Sequence, residues 1–469
     1  MGFRKDDQTK PPRTSAPASP AVPAAVDDPA AVNKADTHIW GVYGILVTLS
    51  VVELYSASSF EIAQKGLWSP LVRHLVMLFA GFVLILCLQR IHYRKFIHWA
   101  KWLTVISIIA MAVVMCCGQY INGARRALNL GVITIFPAEF LKLSAVMILA
   151  VILSQSQLKK DGNRRLRGAL LAAGVVLLMS GLLFTQGLTN TMLLMMISMS
   201  MMVIGAIKWR IIGLIICIYA VFGGFAIGAK VMLSNRADNS EKPDTLLVDS
   251  RGNIYNVPEL AKYAGGGSRM SDHTWQNRIK AWLGLGEDSI ASRPKYEHPI
   301  HTGNLQEMRS YMAQAHGHWI GVFPGNSRET SRLPLAFSDY IFAIIVEDLG
   351  LIGGLFIMIC YLWLLARAHY IASKCTQAFP AFLVTGLAVM ITFQALFHMA
   401  IVSGAGPVSG QPLPLFSKGF TSILVTSAAF GMMLSVSRFA VRTNSAKGEQ
   451  KAEEAALPEN LRTANPSQL

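Results

Sequence analysis

The sequence predicts an all-α polytopic membrane protein with ten transmembrane helices and a large extracytoplasmic loop between helices 7 and 8. Three observations lead there. Of 469 residues, 52% are hydrophobic and only 15% charged, with a mean hydropathy of +0.42. The apolar residues come in blocks long enough to cross a hydrocarbon layer of roughly 30 Å, not in short amphipathic pieces. The basic residues collect in every second gap between those blocks, as the rule for cytoplasmic loops requires.

The blocks fall within 38–57, 74–90, 99–117, 135–155, 167–184, 188–206, 210–229, 339–366, 379–401 and 416–437. Arg90, Arg94, Lys95 and Lys101 occupy one gap, and Lys159, Lys160, Arg164, Arg165 and Arg167 the next but one. Lys208 and Arg210, then Arg367 and Lys374, and finally Arg438, Arg442 and Lys447 continue the alternation, which puts both termini in the cytoplasm. The formal charge of +15 is therefore a topology signal, and nucleic acid is not an expected partner.

Residues 1–37 are rich in Pro, Ala and charge, lack the apolar core of a signal peptide and read as a disordered cytoplasmic tail, as do residues 438–469. Transmembrane helices 1–7 fill 38–229, the extracytoplasmic loop 230–338, and helices 8–10 fill 339–437. Within the loop, "DHTWQNRIKAWLGLG" reads either as an interfacial helix or as a segment packed inside the loop. Six cysteines lie in or beside apolar blocks without zinc-like or CxxC spacing, so neither a disulfide scaffold nor a metal cluster is indicated.

Charged groups inside spanning segments cost about 2.5 to 3.5 kcal/mol each to insert, so those present should be paired or line a hydrated cavity. Glu139 and Lys142 in "FPAEFLKLSAV" are three apart on one helical face, either as a self-satisfying ion pair or as contacts to a charged substrate. Asp339 opens the eighth segment in "LPLAFSDYIFAIIVEDLG" and reads either as a helix N-cap or as a functional carboxylate. Glu347 and Asp348 follow roughly 12 to 14 Å along a helix rising 1.5 Å per residue, too far to form an acid–base dyad with Asp339. The Gly- and Pro-rich "SGAGPVSGQPLPLFSKGFTS" cannot be regular helix, and non-helical backbone at membrane depth must be buried in protein or line a wet cavity. Lys418 within it, and Arg125 and Arg126 in "INGARRALNLG", are candidate phosphate contacts.

Four stretches, "NGARRALNLGVITIFPAEFLKL", "GNS", "LPLAFSDYIFAIIVEDLGLIGG" and "GPVSGQPLPLFSKGFTS", occur in the order and on the elements of the SEDS (shape, elongation, division and sporulation) family, which the chain resembles over about residues 38 to 440. The likeness is greatest to its division branch. That resemblance implies a peptidoglycan glycosyltransferase polymerising lipid II at the outer face of the bacterial cytoplasmic membrane, enriched at the septum. It also implies a complex with a cognate class B penicillin-binding protein and other division proteins. The family's essential aspartate falls on Asp339. Leu335, Phe337, Ser338 and Tyr340 depart from the pattern around it, as do Ala127, Phe136 and Ala138 near the fourth segment, and His398 and Phe420 near the end. In the stretch Gln186 to Thr191 the family's acid is missing and Asn190 stands at a glycine position.

The chemistry so implied needs one base, since pyrophosphate leaves without a strong general acid. Asp339 is the expected base in an inverting transfer, with Arg126, Glu139, Lys142, Ser338, Ser417 and Lys418 binding substrate or organising the site. No cofactor is certain; a divalent cation, Mg2+ or Mn2+, is suggested by family likeness and pyrophosphate chemistry. The competing readings are a lipid II flippase or other transporter, a non-catalytic scaffold, and the elongation member of the same family.

Overall fold

The structure, a computed structural model, describes residues 34–58, 68–121, 124–129, 134–156, 162–205, 305–330 and 339–440 apart from 407–409, with isolated positions between 207 and 256 and at 333. Its helices are α1 (Thr37–Ala57), α2 (Trp68–Leu88), α3 (Lys95–Cys117), α4 (Pro137–Ser156), α5 (Gly162–Phe184), α6 (Leu188–Ile204), α7 (Leu305–Gly317), α8 (Ile341–Lys374), α9 (Ala378–Val402) and α10 (Phe420–Phe439). Among the described residues, eight of these are long and apolar enough to cross a membrane, and α6 is a shorter apolar helix. The expected seventh segment, 210–229, falls mostly outside the described residues, as does the "DHTWQNRIKAWLGLG" segment. Short strands β1 (Gln119–Ile121), β2 (Ala124–Asn129) and β3 (Thr134–Ile135) form one antiparallel sheet between α3 and α4, and β4 (Leu246–Val248) pairs with β5 (Ile254–Asn256).

α4, α9 and α10 are buried along most of their length and form the centre, while α2, α3 and α5 leave most of their surface to the surroundings. One end of the bundle is tied by Asp36. Its carboxylate caps α1 through the amides of His38 and Ile39, at 3.0 and 3.1 Å, and accepts two bonds from Arg367 of α8, at 2.9 and 2.6 Å. The Asp36 amide donates to Ser437 Oγ of α10 at 3.1 Å, so three helices meet there.

At the other end α8 is not one spanning rod. Gly350 takes φ 74°, ψ 179°, separating a short buried limb, Ile341 to Leu349, from the limb Leu351 to Lys374. The second limb alone is roughly 36 Å long at 1.5 Å per residue, enough to span. The sequence reading of a continuous segment through 339–366 is corrected here, because hydrophobic periodicity does not register a single glycine outside the helical region. A turn after α7 fills the break. The amides of Val322 and Phe323 donate to the carbonyls of Glu347 and Asp348, at 3.0 and 2.9 Å. The amides of Leu351 and Ile352 donate to the carbonyls of His318 and Trp319, at 3.0 and 3.2 Å. Two carbonyls at one helix end and two amides at the other are thereby satisfied.

α7 itself caps α9 in trans, with Ser310 Oγ and Gln314 Nε2 donating to the Val402 carbonyl at 3.0 and 2.9 Å. Tyr311 donates its hydroxyl to Glu307 at 2.6 Å, and burial together with that carboxylate pushes the phenol well above the usual tyrosine range, so it stays a donor. A Cβ at Gly317 would collide with the Val346 carbonyl, one at Gly321 with the Asp348 carbonyl, and one at Gly350 with the Trp319 carbonyl. Gly350→Ala and Gly321→Ala are each expected to lower unfolding stability by about 2 kcal/mol or more, through positive φ and collision combined. Thermal unfolding of the detergent-solubilised protein measures it; Gly174→Ala, where a Cβ meets nothing within 4 Å, serves as the neutral control.

Candidate functional site

Asp339 lies half-buried just before α8, at the same end of the bundle as the α7 turn. It is not the N-cap: Tyr340 holds that position and makes no side-chain cap bond. The Asp339 carboxylate faces Gly410, where a Cβ would sit 3.2 Å from Oδ2 and 3.5 Å from Oδ1. Only a residue without a side chain leaves the carboxylate ordinary room at this distance.

Gly410 lies in the link from α9 to α10, whose described non-helical stretch to Gly419 is held by backbone bonds from several helices. His398 Nδ1 of α9 bonds the Gln411 carbonyl at 2.6 Å; a carbonyl only accepts, so the proton is on Nδ1. Gln394 Nε2 of α9 donates to the Pro412 carbonyl at 3.1 Å, and Tyr361 of α8 donates to the Pro414 carbonyl at 2.6 Å. Ser50 of α1 donates to the carbonyl of Leu415, a non-glycine residue at φ 69°, at 2.8 Å. His74 Nε2 lies 3.0 Å from Ser50 Oγ, and since the serine proton is committed, the histidine is the donor. Ser417 Oγ accepts the Leu413 amide at 2.8 Å and so closes the turn. The Gln411 side chain donates to Asn190 Oδ1 near the start of α6 at 2.6 Å.

Glu139 and Lys142 pair at 2.8 Å, and Lys142 also donates to Gln394 Oε1 at 3.1 Å. Lys142 is fully buried and Glu139 nearly so. The pair thus belongs to a chain running Glu139, Lys142, Gln394, Pro412 carbonyl, two residues from the glycine that meets Asp339. Of the expected cations, Arg126 is half-buried with Nη2 3.5 Å from where a Cβ of Gly187 would lie, beside the start of α6. Arg125 instead caps α3, donating to the carbonyls of Met115, at 2.8 Å, and Cys116. Lys418 is half-buried. Ser338 lies outside the described residues.

Glu347 and Asp348 do not join this group. Glu347 Oε1 accepts the amides of Arg328 and Glu329 at 2.9 and 3.3 Å, and Asp348 Oδ1 accepts the Ser327 hydroxyl, so both acids hold the segment that follows the α7 turn. Glu53 of α1, which the sequence reading passed over, is fully buried beside Asp348. An acid inside the first apolar block was the signal that marked it. Asn190, His398 and Gln411 had no pattern to announce their meeting. Among the described residues no three His, Cys, Asp or Glu side chains converge as a metal cage would require. Glu139 is committed to Lys142.

The family model described as "cell cycle protein", which joins FtsW, RodA and SpoVE, matches residues 36–239 and 270–442. The chain belongs to this family. Among its relatives, the probable peptidoglycan glycosyltransferase FtsW of Aliivibrio salmonicida is 26% identical over 85% of this chain and 87% of its own. The stage V sporulation protein E of Bacillus subtilis is 27% identical over 84% of this chain and 94% of its own. A chain from a peptidoglycan synthase complex that coordinates polymerization and crosslinking has the same fold, with TM-score 0.58 at 22% identity over 86% of this chain and 97% of that one. The protein is thus a SEDS-family polytopic membrane protein, homologous to FtsW and SpoVE, of the superfamily that serves peptidoglycan synthesis.

Lys142→Ala strands a buried carboxylate and is expected to cost about 3 to 5 kcal/mol, whereas Lys142→Met with Glu139→Gln recovers most of that. A double-mutant cycle by thermal unfolding reads the coupling. Replacing His398 by Leu removes the donor to Gln411, while His398→Asn keeps one. Hydrogen–deuterium exchange of residues 410–417 should quicken in the first variant and stay near wild type in the second.

Proposed function

We propose that this protein is a lipid II polymerase of the division branch, a peptidoglycan glycosyltransferase working at the outer face of the cytoplasmic membrane on a ten-helix body with both termini inside. The observation that carries the reading is the Asp339 carboxylate set against Gly410. It sets a half-buried carboxylate against a wall of backbone held from several helices, where the sugar end of a lipid-linked substrate would arrive.

The acceptor's sugar hydroxyl attacks the anomeric carbon of the donor. The new glycosidic bond forms as the bond to the lipid pyrophosphate breaks, Asp339 takes the hydroxyl proton, and the pyrophosphate leaves with the bonding electrons. Attack from the face opposite the leaving group inverts the anomeric centre. Arg126 and Lys418, both half-buried, are the candidate cations to offset pyrophosphate charge. Lys142, expected in that role from sequence, is committed to Glu139 and Gln394 and serves the wall. A Mg2+ or Mn2+ ion, where present, would supply further charge neutralisation from the substrate's own phosphate oxygens. Likeness to a chain of a peptidoglycan synthase complex supports a class B penicillin-binding protein and other division proteins as partners.

Asp339→Asn should reduce glycan polymerised from lipid II by purified protein and partner about 10²- to 10⁴-fold while leaving thermal stability unchanged. Gly410→Ala should slow it about 10-fold or more by displacing the carboxylate. If Asp339→Asn keeps polymerising but stops moving lipid II between leaflets, the protein is a transporter instead. Fluorescent fusions should gather at midcell; a side-wall pattern without midcell signal assigns the elongation role.

A further inference from the structure

We propose that the turn carrying Trp319, Ile320 and Phe323 is seated in the lipid leaflet on the Asp339 side of the membrane, anchoring the break in α8 at the interface. By sequence this turn belongs to a polar loop, yet Trp319, Ile320 and Phe323 are 67%, 69% and 63% exposed. Three such side chains together in water would be an unusual apolar patch for a loop. His318 and Phe323, at φ 45° and 69°, hold non-glycine residues in the left-handed region at either end of the turn, so its outward display is imposed by the fold.

Lipid is the occupant because the patch continues a lipid-facing surface. The amides of Leu351 and Ile352 bond directly to the carbonyls of His318 and Trp319, which joins the turn to the first residues of the spanning limb. From there Leu351, Ile352, Leu355, Phe356 and Ile359 stay exposed along α8, the face that a membrane-spanning helix gives to acyl chains. His318, Asn326 and Arg328 are more polar and lie around the turn, His318 and the other two all solvent-exposed. The Tyr55 ring at the end of α1 lies 3.2 Å from where a Gly325 Cβ would stand and is itself half-exposed. Aromatic residues between an apolar stripe and a polar rim are the pattern of a membrane–water boundary. The seat would set the depth of Gly350 and, through the limb Ile341 to Leu349, the level at which Asp339 is held. It stands on the spanning of α8 and not on the proposed catalysis.

The full-length protein in nanodiscs of phosphatidylethanolamine and phosphatidylglycerol tests it, with bromines placed at shallow or deep acyl positions. The emission lost in Trp319→Phe should be a component quenched by shallow bromines and shielded from aqueous iodide. Iodide quenching without bromine quenching overturns the proposal, and is the result expected if this face instead awaits a protein partner. Should Trp319→Phe fail to fold, a nitroxide at Ile320→Cys, with the exposed Cys87, Cys116, Cys117 and Cys217 changed to Ser, gives the same decision. Greater collision with oxygen than with a water-soluble nickel chelate supports the seat, and the reverse order overturns it.

Discussion

Backbone that leaves the helix inside a membrane protein must find a partner for every buried carbonyl and amide, and the stretch from Gly410 to Gly419 depends on that constraint. Its carbonyls at Gln411, Pro412, Pro414 and Leu415 are met by His398, Gln394, Tyr361 and Ser50, drawn from three helices. Each such bond is worth about 1 kcal/mol net, but an unmet buried carbonyl costs more, so the set is cooperative in effect. The held stretch begins one residue after Gly410, the glycine that meets the Asp339 carboxylate.

The buried Glu139–Lys142 pair gains its meaning from the same constraint. An isolated buried ion pair is weak evidence for stability, since desolvation offsets most of the attraction. Here the lysine has a second acceptor in Gln394, whose amide in turn holds Pro412. The charge fixes the orientation of a glutamine amide that would otherwise be free to flip, and thereby specifies the wall of the site.

The break in α8, eleven residues after Asp339, poses the same problem for helical backbone. A turn from outside the bundle supplies two amides and two carbonyls to the interrupted helix, and Glu347 and Asp348 tie down the chain that follows. Acids that look misplaced in an apolar run are thus acceptors for a docked polar segment. Asp339 differs from them in standing outside the helix, beyond the N-cap residue.

Hydropathy alone determined the membrane class and located the apolar body of nine described helices, because length and apolar composition follow directly from bilayer thickness, though α2 and α5 begin five or six residues earlier than expected and α8 runs to Lys374 and breaks at Gly350. The i, i+3 spacing of Glu139 and Lys142 likewise foretold their pairing, a local matter of helix geometry. The family motif drew attention to Asp339 and the Gly/Pro segment as separate features. Their contact, the meeting of Asn190, His398 and Gln411, the burial of Glu53 beside Asp348 and the turn that fills the α8 break were decided by tertiary structure. Each joins residues far apart in the chain through directional bonds or close approach, and such bonds leave no period or composition in a sequence for physics to read.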